Sequence, residues 1–108
     1  MEPNTSERLY ITLLLFVKGG KENVFLEYEA AVLPILPKYN GMLHYRIRPE
    51  QTAYIQPKED VPYEIHLVSF ASDTDFDNYR QDPERQQYTP LFQESVEKIV
   101  LVKGHIMS

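Results

Sequence analysis

The chain has 108 residues, enough for one ordinary domain and too few for two. Eleven basic and sixteen acidic side chains give a formal net charge of −5, which argues against a nucleic-acid-binding surface. Because the sequence has no cysteine, disulfides, thiolate catalysis and cysteine-ligated zinc or iron–sulfur sites are excluded. The apolar run 9–17 is too short to cross a bilayer and follows no basic segment, so we expect no membrane helix, no secretion signal and a cytoplasmic location.

The first predicted element is a strand over residues 8–17, which ends at Gly19 and Gly20. Its two alternating sets of side chains are both apolar, with Leu9, Ile11, Leu13 and Leu15 on one side and Tyr10, Leu14 and Phe16 on the other. A strand that is apolar on both faces is expected in the interior of a sheet that is covered from both sides.

Residues 22–36 carry apolar side chains at helical spacing, and Pro34 and Pro37 predict that regular helix ends or kinks there. Two alternating strands, 42–48 and 63–70, follow. The polar segment 49–62 between them is long for a hairpin loop.

Ser72 is predicted to cap a helix, and Asp82 followed by Pro83 predicts a second helical start. Residues 97–106 form the fourth predicted strand. The order β-α-β-β-α-β predicts a single α+β domain over residues 1–108 with a ferredoxin-like fold. Right-handed crossovers then place both helices on one side of a four-stranded antiparallel sheet with strand order 4-1-3-2. The segments 1–7 and 105–108 are predicted to be flexible ends, with His105 facing solvent.

The helices of such a fold leave one face of the sheet bare. The first strand contributes three apolar side chains to that face, and the third and fourth strands add about two each. Because burial of one such side chain is worth roughly 1.5–3 kcal/mol, six or seven of them approach the stability of a small domain. The pattern predicts a homodimer packed sheet to sheet. The alternative is a monomer in which the long loop or the C-terminal tail covers the face.

Five short motifs along the chain resemble those of a known family. They are Tyr39-Asn40-Gly41, Val61-Pro62-Tyr63-Glu64-Ile65, Phe70-Ala71-Ser72, Asp82-Pro83-Glu84-Arg85 and Val102-Lys103-Gly104. Together they resemble the domain-of-unknown-function family numbered thirteen-thirty, in the dimeric α+β barrel superfamily that includes the antibiotic-biosynthesis monooxygenases. The resemblance implies a ferredoxin-like protomer in a sheet-to-sheet dimer, and no established activity. The chain departs from the family where Lys58-Glu59-Asp60 stands in place of a Glu-Gly pair.

The second and third strands carry the candidate site. If the two strands form an antiparallel hairpin whose loop is centred near residue 55, the numbers of paired residues sum to about 110. His44 then lies opposite His66 and Arg46 opposite Glu64, all on one face of the sheet. Such a cluster could bind an anionic or carbonyl-bearing ligand, with either histidine as general base and Arg46 holding a developing oxyanion. The alternative is a cross-strand salt bridge together with two histidines that lie at the dimer surface or in solvent. The apolar side chains of the opposite face would then pack on the helices, namely Tyr45, Ile47, Ile65 and Leu67.

His44, His66 and Glu64 also form a possible 2-His-1-carboxylate set, but ordinary strand alternation explains their spacing. We therefore predict no metal and no prosthetic group. Tyr10, Tyr28 and Tyr79 are candidates for lining a ligand pocket, although half-buried packing explains tyrosines equally well.

These features predict a homodimeric small-molecule-binding protein with no nucleic-acid or membrane partner. Its candidate ligand-binding residues are His44, Arg46, Glu64, His66, Tyr10 and Tyr79. Two alternatives stay open. One is a cofactor-independent monooxygenase or isomerase acting on a small enolisable or aromatic substrate, and the other is a dimer with a purely structural role.

Overall fold

The secondary structure follows the predicted order along the chain. The structure is a computed structural model that describes residues 8–50 and 61–107. The predicted end segment 1–7, residue 108 and most of the predicted loop 49–62 lie outside the described residues. The elements are β1 (Leu9–Val17), α1 (Glu22–Val32), a 3₁₀ helix (Leu33–Tyr39), β2 (Gly41–Ile47), β3 (Glu64–Phe70), α2 (Asp73–Arg80), α3 (Pro83–Gln86), α4 (Thr89–Ser95) and β4 (Val96–Gly104).

The four strands form one antiparallel sheet in the order β2-β3-β1-β4, which confirms the predicted strand order. β1 pairs with β3 on one side and with β4 on the other, as its two apolar faces require. The α+β, ferredoxin-like fold predicted from the sequence is therefore confirmed.

The prolines end α1 as expected. The helix passes at Val32 into the 3₁₀ helix, in which Pro34 and Pro37 lack the N–H groups that a regular helix needs. The chain then turns at Asn40, whose φ of 57° is left-handed, and enters β2 at Gly41. A Cβ atom at Gly41 would lie 2.9 Å from the carbonyl oxygen of Leu36, so only glycine allows this close approach.

Both predicted helix caps are present. The Ser72 hydroxyl accepts a hydrogen bond from the Asp75 N–H at 3.1 Å, and the Asp82 carboxylate accepts one from the Arg85 N–H at 2.9 Å. The Asp82 side chain is buried, and it also accepts a hydrogen bond from Lys38 at 2.9 Å. Asp82 thus joins the start of α3 to the 3₁₀ helix.

One face of the sheet packs on the helices, and we call this the helix side. Leu9, Ile11 and Leu15 of β1 are buried there against α1, the 3₁₀ helix and α2. The opposite face, which we call the open face, carries no helix within the described residues. It presents Tyr10, Thr12, Leu14, Phe16, Met42, His44, Tyr45, Ile47, Ile65, Leu67, Ser69, Lys98, Val100 and Val102.

The β2–β3 register differs from the prediction. Arg46 pairs with His66 rather than with Glu64, and an irregularity between Leu43 and Tyr45 leaves His44 without a paired partner. A one-residue bulge reverses the alternation of side chains, so His44 lies on the open face while His66 lies on the helix side. The predicted pairing of His44 with His66 is therefore wrong.

The predicted orientation of these two strands is also wrong. Arg46, Glu64 and His66 face the helices, because Glu29 of α1 contacts the side chains of both Arg46 and His66. The apolar set that was expected against the helices lies on the open face, namely Tyr45, Ile47, Ile65 and Leu67. The charged side chains are stable on the helix side because Arg46 and His66 pair both with Glu64 and with Glu29 of α1.

Candidate functional site

A cluster of charged side chains lies between α1 and the sheet. β3 contributes Glu64 and His66, β2 contributes Arg46, and α1 contributes Glu29. His66 Nε2 lies 2.7 Å from Glu64 Oε1 and 2.9 Å from Glu29 Oε2. The Arg46 guanidinium donates to Glu29 Oε1 at 2.7 Å and to both Glu64 oxygens at 3.1 Å. Glu29, Glu64 and His66 are all buried, so these ionic contacts form largely out of water.

Arg48 completes the cluster at its outer edge. Its guanidinium donates to Glu64 Oε2 at 2.8 Å and stacks on the Tyr63 ring at 3.7 Å from the centroid. Glu64 therefore accepts hydrogen bonds from two arginines and is close to one histidine, a set of partners that stabilises its ionised form.

The pKa values of the two glutamates move in opposite directions. Burial raises the pKa of Glu64, but the hydrogen bonds from His66 and Arg48 and the charge of Arg46 lower it to about 2. Burial also raises the pKa of Glu29, and the neighbouring Glu64 carboxylate raises it further, so that the pKa stays above the ordinary value despite His66. Of the two carboxyl groups, Glu29 is therefore the one that keeps a proton more readily.

The pKa of His66 is raised. Burial lowers it, but the hydrogen bonds and negative charges of Glu29 and Glu64 together outweigh burial and favour the imidazolium. The site thus places an imidazole whose pKa is raised beside a carboxyl group whose pKa is also raised. Both groups can donate a proton or a hydrogen bond to a polar atom of a ligand.

A cavity of about 470 Å³ lies between the helices and the sheet beside this cluster. His66 and Glu29 contribute to its wall, and most of the other lining side chains are apolar. This volume falls within the range of about 300–1,000 Å³ that is typical of small-molecule sites.

The strand pairing gives the direction of the cavity. His66, Leu13 and Leu101 are paired neighbours across β3, β1 and β4, so they form one row along the cavity floor. With adjacent strands about 4.8 Å apart, the backbones of His66 and Leu101 are roughly 10 Å apart. Leu101 is 41% exposed whereas His66 is 4% exposed, so the cavity opens near β4 and ends at the charged cluster.

The structure separates the candidate site residues into two groups. Arg46, Glu64 and His66 share one cluster, and Tyr79 and Tyr28 line the cavity next to it. His44 and Tyr10 are on the open face, where the His44 ring lies 5.3 Å from the Tyr10 ring and its Nε2 lies 2.7 Å from the Ser69 hydroxyl.

Two further site residues were not found from the sequence, namely Glu29 and Arg85. Glu29 falls on the buried stripe of α1 with Phe25, Tyr28 and Val32, at the spacing that places residues on one helix face. Glu29 could therefore have been recognised from the sequence, as a carboxylate within the apolar stripe of a predicted helix. Arg85 lies three residues after the helix cap Asp82, and nothing in the local sequence distinguishes it from an ordinary surface arginine. Only the tertiary structure brings it to the cavity.

The cluster offers three possible ligand atoms to a metal ion, from Glu29, Glu64 and His66, all within 4.8 Å of one another. This is not the set that the sequence suggested, because His44 is replaced by Glu29. The guanidinium groups of Arg46 and Arg48 already neutralise these carboxylates, and their positive charge opposes a cation. The arrangement is better suited to hydrogen bonding and proton transfer.

His105, which was expected to face solvent, is exposed, and its Nδ1 lies 3.0 Å from the Arg8 carbonyl oxygen. Residues 105–107 are all exposed. Among the described residues, no helix has both the length and the apolar composition that crossing a membrane requires.

Comparison with known proteins identifies the fold and not a family. No family model matches the chain and no curated protein matches it, so the resemblance to family thirteen-thirty is not confirmed. Solved structures do match over nearly the whole chain. A protein of unknown function from Rhodopseudomonas palustris superposes with a TM-score of 0.81 at 14% identity, over 95% of this chain and 85% of that one.

Two other solved structures have the same fold. A DABB family protein with a ferredoxin-like fold from Mesorhizobium loti has a TM-score of 0.68 at 15% identity, over 94% of this chain and 98% of that one. A dimeric ferredoxin-like protein of unknown function from Jannaschia sp. CCS1 has a TM-score of 0.69 at 22% identity, over 92% of this chain and 99% of that one. At these identities the likeness supports the fold alone.

Proposed function

We propose that this chain is a small-molecule-binding protein whose ligand occupies the cavity between the helices and the sheet. The observation that carries this proposal is the cavity of about 470 Å³, apolar over most of its wall and polar at its inner end through His66 and Glu29. An apolar site with a few convergent polar groups is the usual form of a ligand pocket.

The polar end determines which ligands fit. Glu64 and Arg46 lie behind His66 and Glu29 and fix their positions through hydrogen bonds. Because the pKa values of His66 and Glu29 are both raised, a proton held by either group can be donated to a carbonyl or hydroxyl oxygen at the inner end of the cavity. Arg46, predicted to hold an oxyanion, is instead proposed as a positioning residue, because its guanidinium is directed at the two glutamates.

Thermal-shift screening against a metabolite library tests this proposal. A compound at one hundred times its Kd stabilises the native state by about 2.7 kcal/mol, which raises the melting temperature of a domain of this size by about 10 °C. The variant Leu13→Phe, which adds volume to the cavity floor, should reduce the shift. His44→Gln, on the opposite face of the sheet, should leave it unchanged. A hit whose shift survives Leu13→Phe but is lost in His44→Gln would place binding on the open face and refute the proposal.

The second candidate function is proton transfer without a cofactor, as in an isomerase or monooxygenase acting on an enolisable or aromatic substrate. The contact of 2.7 Å between His66 Nε2 and Glu64 favours it, because a carboxylate of low pKa orients the imidazole and stabilises its charged form. Incubating the protein with butyrophenone in D₂O and following exchange of the α-protons by NMR tests this candidate. His66→Gln should abolish the exchange and His44→Gln should retain it. Equal exchange in both variants would exclude His66 as the base.

We also propose that two copies of the chain pack through their open faces. On this face Val102 is 59%, Met42 53% and Ile47 46% exposed. Completing the burial of about five such side chains is worth roughly 4–7 kcal/mol per protomer. The structure from Jannaschia with the same fold is described as dimeric, which supports a dimer here. The alternative cover, the segment 49–62, lies largely outside the described residues.

Sedimentation equilibrium tests the dimer. The wild-type chain should have twice its monomer mass of 12.7 kDa at micromolar concentration. Leu67→Lys, which places a charge in the centre of the open face, should give the monomer mass. Leu26→Lys makes the same change at an exposed position on α1 and should stay dimeric. A wild-type monomer would refute the proposal. The cytoplasmic location and the lack of nucleic-acid and membrane partners stay predictions.

A further inference from the structure

Two buried side-chain atoms among the described residues have no hydrogen-bond partner, and both belong to residues that line the same cavity. They are Arg85 Nε and Glu29 Oε2. Glu29 Oε2 lies 2.9 Å from His66 Nε2, but the same nitrogen lies 2.7 Å from Glu64 Oε1, so a single N–H faces two carboxylate oxygens. An unpaired buried polar atom costs free energy, and a ligand with matching polar groups removes that cost.

The surroundings of Arg85 favour an anion. Its Nη2 donates to the Tyr28 hydroxyl at 3.1 Å, and its guanidinium carbon lies 4.7 Å from the centroid of the Tyr79 ring. No ion pair between described residues includes Arg85. Its Nη1 also donates to the Arg80 carbonyl oxygen at 3.4 Å. This partly buried guanidinium pairs with no carboxylate of the described residues, so it retains its attraction for the carboxylate of a ligand.

We propose that the cavity binds a small carboxylic acid with an apolar body, whose carboxylate pairs with Arg85 and whose carbonyl or hydroxyl lies at Glu29 and His66. This proposal rests on the ligand-binding function proposed above and adds the chemical class of the ligand. The Tyr28 hydroxyl, which already contacts Arg85, is placed to donate a second hydrogen bond to the same carboxylate.

The volume limits the size of the acid. At about 30 Å³ per water molecule, 470 Å³ holds the equivalent of roughly 16 waters, which suits a ligand of about ten to fifteen non-hydrogen atoms. The apolar body would lie on the floor formed by Leu13, Leu15 and Ile11. An aromatic ring or a short alkyl chain fits this description, and a nucleotide or a long-chain lipid does not.

Isothermal titration with three probes of one carbon skeleton tests the proposal. The probe 4-oxo-4-phenylbutanoate carries both polar groups, 4-phenylbutanoate carries the carboxylate alone, and butyrophenone carries the ketone alone. Wild-type protein should bind the first probe most tightly. Arg85→Gln should weaken both acids at least tenfold and change butyrophenone binding by less than twofold, which also shows that the variant folds with its cavity intact. Arg85→Lys, which keeps the charge, should weaken the acids less than Arg85→Gln.

Lys21→Gln is the matched control, because it also removes one positive charge. Lys21 does not line the cavity and pairs with the exposed Glu94 at 3.1 Å, so the variant should bind the acids within about twofold of wild type. Acid binding that is retained in Arg85→Gln would overturn the proposal, as would acids that do not bind at all. Butyrophenone binding without acid binding would overturn the ligand class alone and leave the cavity as a binding site. If butyrophenone and the metabolite library also fail to bind, the proposed function fails as well.

Discussion

The two buried glutamates of the cluster should respond in opposite ways to the same substitution. Glu64 has a pKa lowered from 4.5 to about 2, and at about 1.4 kcal/mol per unit this difference corresponds to about 3 kcal/mol. A carboxyl with a depressed pKa in the folded state stabilises the protein at pH values above its unfolded pKa, and this stabilisation is lost as the pH falls from 4.5 to 2. Glu64→Gln should therefore lower the free energy of unfolding by about 3 kcal/mol at pH 7 and by only about 1 kcal/mol at pH 3.

Glu29→Gln is the matched comparison. The raised pKa of Glu29 means that its ionised form is the unfavourable one, so its contribution to stability falls as the pH rises through its folded pKa. A neutral glutamine of the same shape retains an oxygen for the Arg46 hydrogen bond of 2.7 Å. The free energy of unfolding at pH 7 should change by less than about 1 kcal/mol or should increase.

Urea unfolding followed by circular dichroism measures both variants, at one fixed protomer concentration because dimerisation would make stability depend on concentration. A loss in Glu29→Gln as large as that in Glu64→Gln would refute this reasoning. An undiminished loss in Glu64→Gln at pH 3 would refute it too, since the stabilisation would then not come from the ionised carboxylate.

Three further predictions concern single positions. Gly41→Ala should lower the free energy of unfolding by about 1–3 kcal/mol, because the added Cβ would lie 2.9 Å from neighbouring atoms. Gly19→Ala is the control: nothing lies within 4 Å of its Cβ, so the free energy of unfolding in the same urea assay should change by less than about 0.5 kcal/mol. NMR titration of the histidine ring protons should give His66 a pKa above 6.5 in the wild type. The pKa should be lower in Glu64→Gln, because one of the two carboxylates that oppose the effect of burial is then absent. An unchanged pKa would show that Glu64 does not raise the pKa of His66. Asp82→Ala should lower the urea midpoint more than Asp82→Asn, which keeps a capping oxygen, and equal midpoints would show that the cap contributes nothing.

The sequence was sufficient to predict the fold because its local signals agree with one another. The two apolar faces of β1 predicted its interior place in the sheet, and Ser72 and Asp82 marked helix starts through hydrogen bonds that involve only neighbouring residues. The prolines placed the end of α1 within a few residues for the same reason, since the missing N–H acts locally.

The candidate site was predicted only in part. Alternation correctly grouped Arg46, Glu64 and His66, because residues two apart on a strand share a face, and paired residues of neighbouring strands share it too. It also placed His44 with them, and a one-residue bulge, which no sequence signal announced, moved that histidine to the other face.

By itself, the sequence determined the strands, their order and, apart from the bulge at His44, which side chains share a face, since these depend on local periodicity and on the apolar content of β1. Only the tertiary structure decided which face meets the helices and which groups from distant segments gather there. Glu29 and Arg85 reach the cavity from α1 and α3, and their contacts with His66 and Tyr28 join residues 37 and 57 positions apart. Such contacts depend on how the helices pack on the sheet, and the periodicity of a single strand or helix carries no information about that packing.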